Sequence, residues 1–187
     1  VDVPGLLRGL EGEGHEGGVG VHGHAAEDSL SLMLSQVTDQ DWGFGPIVEI
    51  DKRGRRTDWP RVRFSSLRLR SQAIRICHQS VLVRTDLLRR LGGFDSSFLV
   101  AGDFELLLRI SAGNHPAQWR RPVVTFQAGG LSYQRPWRAL VECHTARRRN
   151  RVSGSWVQDA ADWATFLRLA LRLVLGIPLR YLRGYRR

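Results

Sequence analysis

Residues that can take part in chemistry are concentrated near the middle of the chain. His78 and Gln79 come directly before a short apolar run, and Asp103 stands at the start of a helical pattern. A carboxylate at a helix N-terminus is held in its ionised form, and the small residues Ala101 and Gly102 before it leave room for a substrate. The density of these residue types predicts a site in this part of the chain.

Each of these residues also has a purely structural interpretation. Asp103 would cap its helix, and His78 would be a buried, hydrogen-bonded core residue. Gly92-Gly93 fits a helix C-cap and turn better than a ligand contact. Asp95 is interpreted as an acid that orders a loop, and Arg109 as a partner in a salt bridge at a helix end. For His78 and Asp103, the residue types alone leave both interpretations open.

Strands and helices on both sides of this block must position its side chains. Hydrophobic patterning predicts strands over residues 42–50, 80–83 and 119–128, the first followed by a hairpin turn with Gly54 in the left-handed conformation. It predicts helices over residues 30–37, 87–91, 104–110, 137–151 and 162–175. Residues 65–73 fit either a loop or a short helix.

Length and composition restrict the classes of protein that remain. A chain of 187 residues with 42% hydrophobic residues is long enough for one domain with a packed core. Neither Cys77 nor Cys143 has the spacing of a metal site, and both are expected to be reduced thiols of a cytosolic protein. No apolar run approaches the roughly 18 residues of a membrane-spanning helix.

The net charge of +10 is unevenly distributed along the chain. Residues 1–50 are acidic, whereas residues 51–75 and 137–187 are strongly basic. Lys52 is the single lysine in the sequence, so the excess of arginine indicates a compositional bias. Because no nucleic-acid recognition motif accompanies it, a nucleic-acid partner is disfavoured.

Residues 1–27 are interpreted as a Gly-rich, poorly ordered lead because they show no sustained apolar period. His15, His22 and His24 in this lead have a type that can bind metal. We interpret them instead as part of a flexible polar segment.

Four strings in the sequence resemble the C-terminal half of a family 2 glycosyltransferase. They occur in the family's order and with compatible spacing: HQS at 78–80, LGGFD at 91–95, AGDFELLLR at 101–109 and GGLS at 129–132. The resemblance implies an α/β fold of the GT-A type, with a partial, mostly parallel sheet, flanking helices and a C-terminal helical tail. It makes residues 28–136 a partial glycosyltransferase domain and residues 137–187 a basic amphipathic helical tail.

The resemblance also implies a reaction. Enzymes of this family transfer a sugar from a nucleotide-sugar to an acceptor hydroxyl group, with inversion at the anomeric carbon. Asp103 would be the general base, and a divalent metal, Mg²⁺ or Mn²⁺, would balance the leaving diphosphate. The acceptor would be a saccharide or a lipid-linked molecule in polysaccharide or cell-envelope glycan synthesis. The residues expected to contact substrate are His78, Gln79, Gly129, Gly130 and Ser132.

The family's nucleotide-binding half, with its Asp-x-Asp metal ligands, has no counterpart in this sequence. The nearest acidic pair, Glu27-Asp28, lies too close to Trp42 to match that motif, so no residue is assigned as a metal ligand. We therefore expect a fragment or a degraded copy that is inactive alone.

The last predicted helix indicates a place of action at a membrane. Arg168 and Arg172 lie four residues apart on one side of a largely apolar helix, and the tail adds arginines beside Tyr181 and Tyr185. Such a segment can lie on an anionic membrane, which suits a cytoplasmic enzyme held at the inner face of the plasma membrane.

Three alternatives to that picture stay open. The last helix would instead pack on the domain with a solvated basic face. The chain would be a non-catalytic basic module that binds a membrane surface or nucleic acid, or a remnant that pairs with an intact enzyme.

Overall fold

A computed structural model describes residues 23–25, 29–37, 39–51, 53–150 and 156–176. Within these ranges the chain alternates strands with helices and forms an α/β fold, as expected. The strands are β1 (Gly23–Ala25), β2 (Trp42–Phe44), β3 (Val48–Ile50), β4 (Arg56–Asp58), β5 (Val81–Val83), β6 (Ala117–Gln118) and β7 (Val124–Gln127). The helices are α1 (Ser29–Gln36), α2 (Ser66–Arg70), α3 (Thr85–Arg90), α4 (Gly102–Ile110), α5 (Leu131–Gln134), α6 (Pro136–Arg149) and α7 (Trp156–Val174).

The strands form two mixed sheets. One sheet has the order β1-β7-β3-β4 and the other the order β5-β2-β6. Only the β3–β7 and β2–β6 pairs are parallel in the described part of the chain, and the other pairs are antiparallel. The expectation of a mostly parallel sheet is therefore wrong for this structure.

Two predicted long strands do not form as single strands: residues 42–50 are divided between the two sheets, and of residues 119–128 only β7 is a strand. Residues 42–50 form β2 and β3 with a break at residues 45–47, and residues 117–127 form β6 and β7 with a longer break. Gly43 pairs with Ala117 in one sheet and Val48 with Thr125 in the other, so the second segment contains three more residues than the first. Pro122 also interrupts that segment, and proline cannot donate to a strand ladder. The prediction of single strands there is wrong.

Trp119 occupies the break between the sheets. A methyl group added to Gly45 would lie 2.0 Å from Cδ1 of Trp119, and one added to Gly43 would lie 2.8 Å from its Cζ3. The buried indole thus packs directly on backbone that has no side chain. These contacts fix the place at which both strands leave one sheet for the other.

The turns and helix ends follow their local chemistry. Gly54 closes the β3–β4 hairpin with a φ of 75°, as predicted. Gly92 and Gly93 end α3 with φ values of 77° and 69°, which confirms the C-cap interpretation. The Ser65 side chain accepts a hydrogen bond from the N–H of Arg68, so the segment that fitted a loop or a helix begins a helix.

The main core lies between β2 and helix α4. Trp42 and Phe44 from the strand are buried with Leu106 and Ile110 from the helix. Ala146 of α6 belongs to the same core, and α6 packs against α4. The helix that was assigned to a separate tail is thus part of the main domain's packing.

Several predictions fall wholly or partly outside the described residues. These are most of the Gly-rich lead, Glu27-Asp28, and the basic tail over residues 177–187. Within the lead, Gly23–Ala25 forms strand β1, which pairs with β7. The last helix begins at Trp156 and not at Asp162. None of the described helices is both long enough and apolar enough to cross a membrane.

Candidate functional site

His78 is placed by a short 3-10 turn, His78–Ser80, that precedes edge strand β5. The hydroxyl of Ser80 is buried and donates to the carbonyls of Gly45 (3.0 Å) and Cys77 (2.9 Å). These bonds attach the turn to the break between β2 and β3. The His78 side chain is 56% exposed, so its interpretation as a buried core residue is wrong.

Asp103 lies in the first turn of α4, as predicted. Its Oδ1 accepts a hydrogen bond of 2.7 Å from the N–H of Phe104. The helix is held by its buried residues, among them Leu106 and Ile110, which pack on β2. Since β5 also pairs with β2, the same central strand supports the elements that carry His78 and Asp103.

The two predicted residues meet in space. Nδ1 of His78 lies 3.1 Å from Oδ2 of Asp103. This distance is short enough for an ion pair between the imidazole and the carboxylate. Asp103 is 39% exposed, so the pair is open to solvent and to a ligand. The structure therefore holds an imidazole and a carboxylate side by side at the surface.

A loop immediately before Asp103 is held by a residue that the sequence did not reveal. Oε2 of Glu142, on α6, accepts hydrogen bonds from the N–H groups of Val100 (2.7 Å) and Ala101 (2.9 Å). Oε1 of Glu142 pairs with Arg138 at 2.8 Å. The only sequence signal for Glu142 was this four-residue spacing from an arginine, which is common on solvated helices.

The same residue borders an open groove of about 510 Å³ between α6 and the loop before α4. Trp137, which is 51% exposed, and Val141 form apolar parts of its wall. The remaining lining residues are Ser97, Phe98, Arg138, Glu142, Thr145 and Arg149. The groove thus combines an exposed aromatic ring with several hydrogen-bonding side chains.

The other predicted substrate contacts are less closely joined to the pair. Gln79 follows His78, and its Oε1 is buried without a partner among the described residues. Gly129 and Gly130 follow β7, which contacts the turn of His78, and Ser132 is exposed on α5. In the described part of the chain, no hydrogen bond links Gly129, Gly130 or Ser132 to His78 or Asp103.

Arg109 and Asp95 belong to the central block of the sequence, but both have structural partners. Arg109 pairs with Glu105 at 2.6 Å and donates to the carbonyls of Leu91 and Gly93. Asp95 accepts from the N–H of Ser97 and pairs with Arg149 at 3.0 Å. Hydrogen bonds from the side chain and backbone of Ser97 hold the pKa of Asp95 below its usual value. Both residues order the loops before α4.

Neither cysteine is prepared for nucleophilic chemistry. Burial raises the pKa of Cys77 to about 11 and that of Cys143 to about 12. The negative charge of Asp103 acts in the same direction on both thiols. At neutral pH both remain protonated, and a thiol is a poor nucleophile compared with a thiolate.

The described residues do not gather a metal-binding set. No group of three or more His, Cys, Asp or Glu side chains among them is arranged to hold an ion. His78 and Asp103 supply two potential ligand groups, and these already contact each other at 3.1 Å. The described part of the chain therefore does not fit the divalent metal that the resemblance implied.

In comparisons with known proteins, no family model, curated protein or solved structure matches this chain.

Proposed function

We propose that the chain carries the acceptor side of an inverting sugar-transfer site, in a partial GT-A-like domain. The observation that carries this proposal is the distance of 3.1 Å between Nδ1 of His78 and Oδ2 of Asp103. The two residues come from separate strings of the sequence, and each was assigned to the site by its own string. Their meeting in space on a half-exposed surface supports a common chemical role.

In this proposal, an acceptor hydroxyl group approaches Asp103 and attacks the anomeric carbon of a nucleotide-sugar. The new bond joins the acceptor oxygen to that carbon, while the bond to the nucleoside diphosphate breaks and the diphosphate leaves. The hydroxyl proton passes to the carboxylate of Asp103. A single displacement of this kind inverts the configuration. His78 orients the carboxylate through Oδ2.

The groove beside Glu142 is the proposed place of the acceptor. An exposed aromatic ring such as Trp137 can pack on the apolar face of a sugar, while neighbouring polar side chains bind its hydroxyl groups. Glu142 joins this groove to the loop before Asp103 through its bonds to Val100 and Ala101. A saccharide bound there would lie next to the loop that leads to the base. A lipid-linked saccharide fits the same groove through its sugar.

We do not assign the donor or a metal to the described residues, and we expect the chain alone to transfer no sugar. Binding of the acceptor is therefore the direct test. A panel of oligosaccharides should shift the imidazole NMR signals of His78, while the signals of the exposed His115 stay unchanged. Saccharides that leave His78 unaffected at millimolar concentration throughout the panel would contradict the proposal.

The roles within the pair are tested by two isosteric variants, supplied with a nucleotide-binding half in trans or in a fused chain. Asp103→Asn should reduce transfer by about two to four orders of magnitude because the general base is lost. His78→Asn should cost less because the carboxylate remains. The reverse order of effects would assign the proton transfer to Nε2 of His78. Equal, near-wild-type activity of both variants would remove the pair from catalysis.

A further inference from the structure

Helix α7 is oriented with its polar side inward. Asp162 and Thr165 are buried, together with Leu169, on the side that faces the domain. On the opposite side, at helical spacing, every residue is apolar and the larger ones are exposed: Trp156, Ala160, Trp163, Leu167, Leu171 and Val174. We call this set the outer face of α7. A surface helix of a globular protein normally has the reverse arrangement.

The exposure along the outer face is extensive. The exposed fraction is 78% for Trp156, 61% for Leu167, 58% for Leu171 and 70% for Val174. These side chains extend from the first turn of the helix to the last. A continuous apolar surface of this kind usually marks a site of interaction, whereas single exposed leucines do not.

The orientation of the helix is fixed by polar contacts. Oδ2 of Asp162 lies 2.5 Å from Nη2 of Arg70, and its Oδ1 lies 3.8 Å from Nε of Arg147. Arg168 donates to the carbonyl of Ser71 at 2.9 Å. Rotating the helix to bury its outer face would break these contacts and leave Arg70 and Arg147 without their carboxylate. The apolar face is therefore held outward.

The surroundings of the outer face are positively charged. Helices α2, α6 and α7 together carry eight arginines and three carboxylates. Arg68, Arg148 and Arg168 among them are exposed. Two of the eight, Arg70 and Arg147, are buried against Asp162. An apolar strip on a basic part of the molecule complements a surface that is apolar within and negatively charged at its edge. That combination is offered by a bilayer containing anionic lipids.

We propose that the outer face of α7 docks the protein on an anionic lipid bilayer, with the helix lying in the plane of the interface. Trp156 would enter the boundary between headgroups and acyl chains, and Trp163, which is 46% exposed and also packs on His144, would lie at the edge of the contact. The arginines beside the face would meet the headgroup phosphates. This inference does not depend on sugar transfer.

The test is co-sedimentation of the full chain with vesicles of mixed phosphatidylglycerol and phosphatidylcholine. We expect binding that weakens at high salt and on pure phosphatidylcholine. The double variant Leu167→Glu, Leu171→Glu should lower the partition coefficient at least about tenfold, since two buried leucines and their surroundings are lost from the interface. The matched control is Leu99→Glu, Leu131→Glu, which makes the same charge change at two exposed leucines outside α2, α6 and α7. The control should stay within about twofold of wild type.

A second measurement does not depend on charged substitutions. Lipids brominated near the headgroup should quench the tryptophan fluorescence of the wild-type chain. The variant Trp156→Phe, Trp163→Phe should lose most of this quenching.

Three results would overturn the proposal. One is equal binding by the outer-face variant and the control. Another is a dimer in solution that only the outer-face variant converts to a monomer, because a second copy would then cover the face. The third is salt-sensitive retention on nucleic acid, reduced by the outer-face variant, without any binding to vesicles.

Discussion

The position of Asp103 depends on a second carboxylate, that of Glu142. Burial raises the pKa of Glu142, but hydrogen bonds from Arg138 and from the N–H groups of Val100 and Ala101 more than offset this effect, and the pKa lies below its ordinary value of 4.5. The ionised form is thus the one that the structure binds. The charge on Glu142 therefore strengthens the contact between α6 and the loop that precedes the proposed base.

Replacing Glu142 by glutamine should loosen that loop. The amide oxygen can still accept the two backbone hydrogen bonds, but the neutral group loses the charge that strengthens them and the ion pair with Arg138. We therefore expect a loss of about 1–3 kcal/mol in the free energy of unfolding. The loss should be present at pH 7. It should shrink as the pH falls from 4.5 through the lower folded pKa, where wild-type Glu142 also becomes neutral.

Denaturant unfolding at several pH values would measure this change, and hydrogen exchange at Val100 and Ala101 would locate it. Asp86→Asn provides a control, because the Asp86 side chain is 70% exposed and its distance to Arg89 is 3.9 Å. Its effect should be within about 0.5 kcal/mol. Unchanged exchange at both amides in Glu142→Gln would contradict the positioning role.

For single residues, the sequence predicted the position correctly where that position depends on neighbours in the chain. The position of Asp103 in the first turn of its helix followed from local patterning, and that prediction is confirmed. Glu142 was missed because its partners lie on another element, and nothing in its own neighbourhood distinguishes it from a solvated helix residue. The exposure of His78 depends in the same way on tertiary packing.

Among the helices, α7 depends most on buried charge. Asp162 is the carboxylate partner of both Arg70 and Arg147, and all three residues are buried. Asp162→Asn would leave two buried guanidinium groups uncompensated. We expect a loss of about 3–5 kcal/mol in the free energy of unfolding, measured by chemical denaturation. Asp58→Asn, at a side chain that is 65% exposed, is the control. Equal small effects of both variants would mean that the ion pairs do not hold α7.

The contact between α6 and α7 should also respond to acid. His144 is buried against the rings of Trp163 and Phe166, with centroids 4.6 and 4.9 Å away. Burial lowers the pKa of His144 below 6.5, and the charges of Arg147 and Arg148 lower it further, whereas Asp162 acts in the opposite direction. The unfolded chain therefore binds this proton more readily than the folded chain. The stabilisation that comes from neutral His144 is therefore fully present above pH 6.5 and is lost as the pH falls below it.

His144→Phe should remove that part of the pH dependence. The melting temperature of the wild-type protein should fall more between pH 7.5 and pH 5.5 than that of the variant. His115→Gln, at an exposed histidine, should leave the wild-type slope unchanged. Parallel slopes for wild type and His144→Phe would show that His144 does not titrate between the helices.

The order and type of most elements followed from their local patterns, but the division of the long strands did not. Pro46 and Pro122 lie within the two segments, but the position of the break also depends on the approach of Trp119 to Gly43 and Gly45. That approach joins residues distant in the chain, which a pattern with a period of two cannot represent. The hairpin of β3 and β4 was predicted, but the partners of β2 and the pairing of β3 with β7 were not, for the same reason.

The whole molecule depends on this junction between the sheets. Gly45→Ala would place a methyl group 2.0 Å from Trp119, within a buried environment where the indole has little room to move. We expect a loss of about 1–3 kcal/mol in the free energy of unfolding. Gly102→Ala is the matched control, because a methyl group there meets nothing closer than 3.8 Å. Thermal melts of both variants measure the difference, and equal melting temperatures would show that the junction adapts.

The parallel pairing across that junction also has a kinetic consequence. The indole N–H of Trp42 donates to the carbonyl of Asn114, 72 positions later, and the parallel partners of β2 and β3 lie at a similar distance along the chain. Closing loops of this length is entropically costly before any contact compensates, so such a topology folds slowly for its size. On the ribosome, Trp42 and Phe44 would emerge long before the segment that covers them. The nascent chain therefore passes through a stage in which its future core is open to aggregation or to a chaperone.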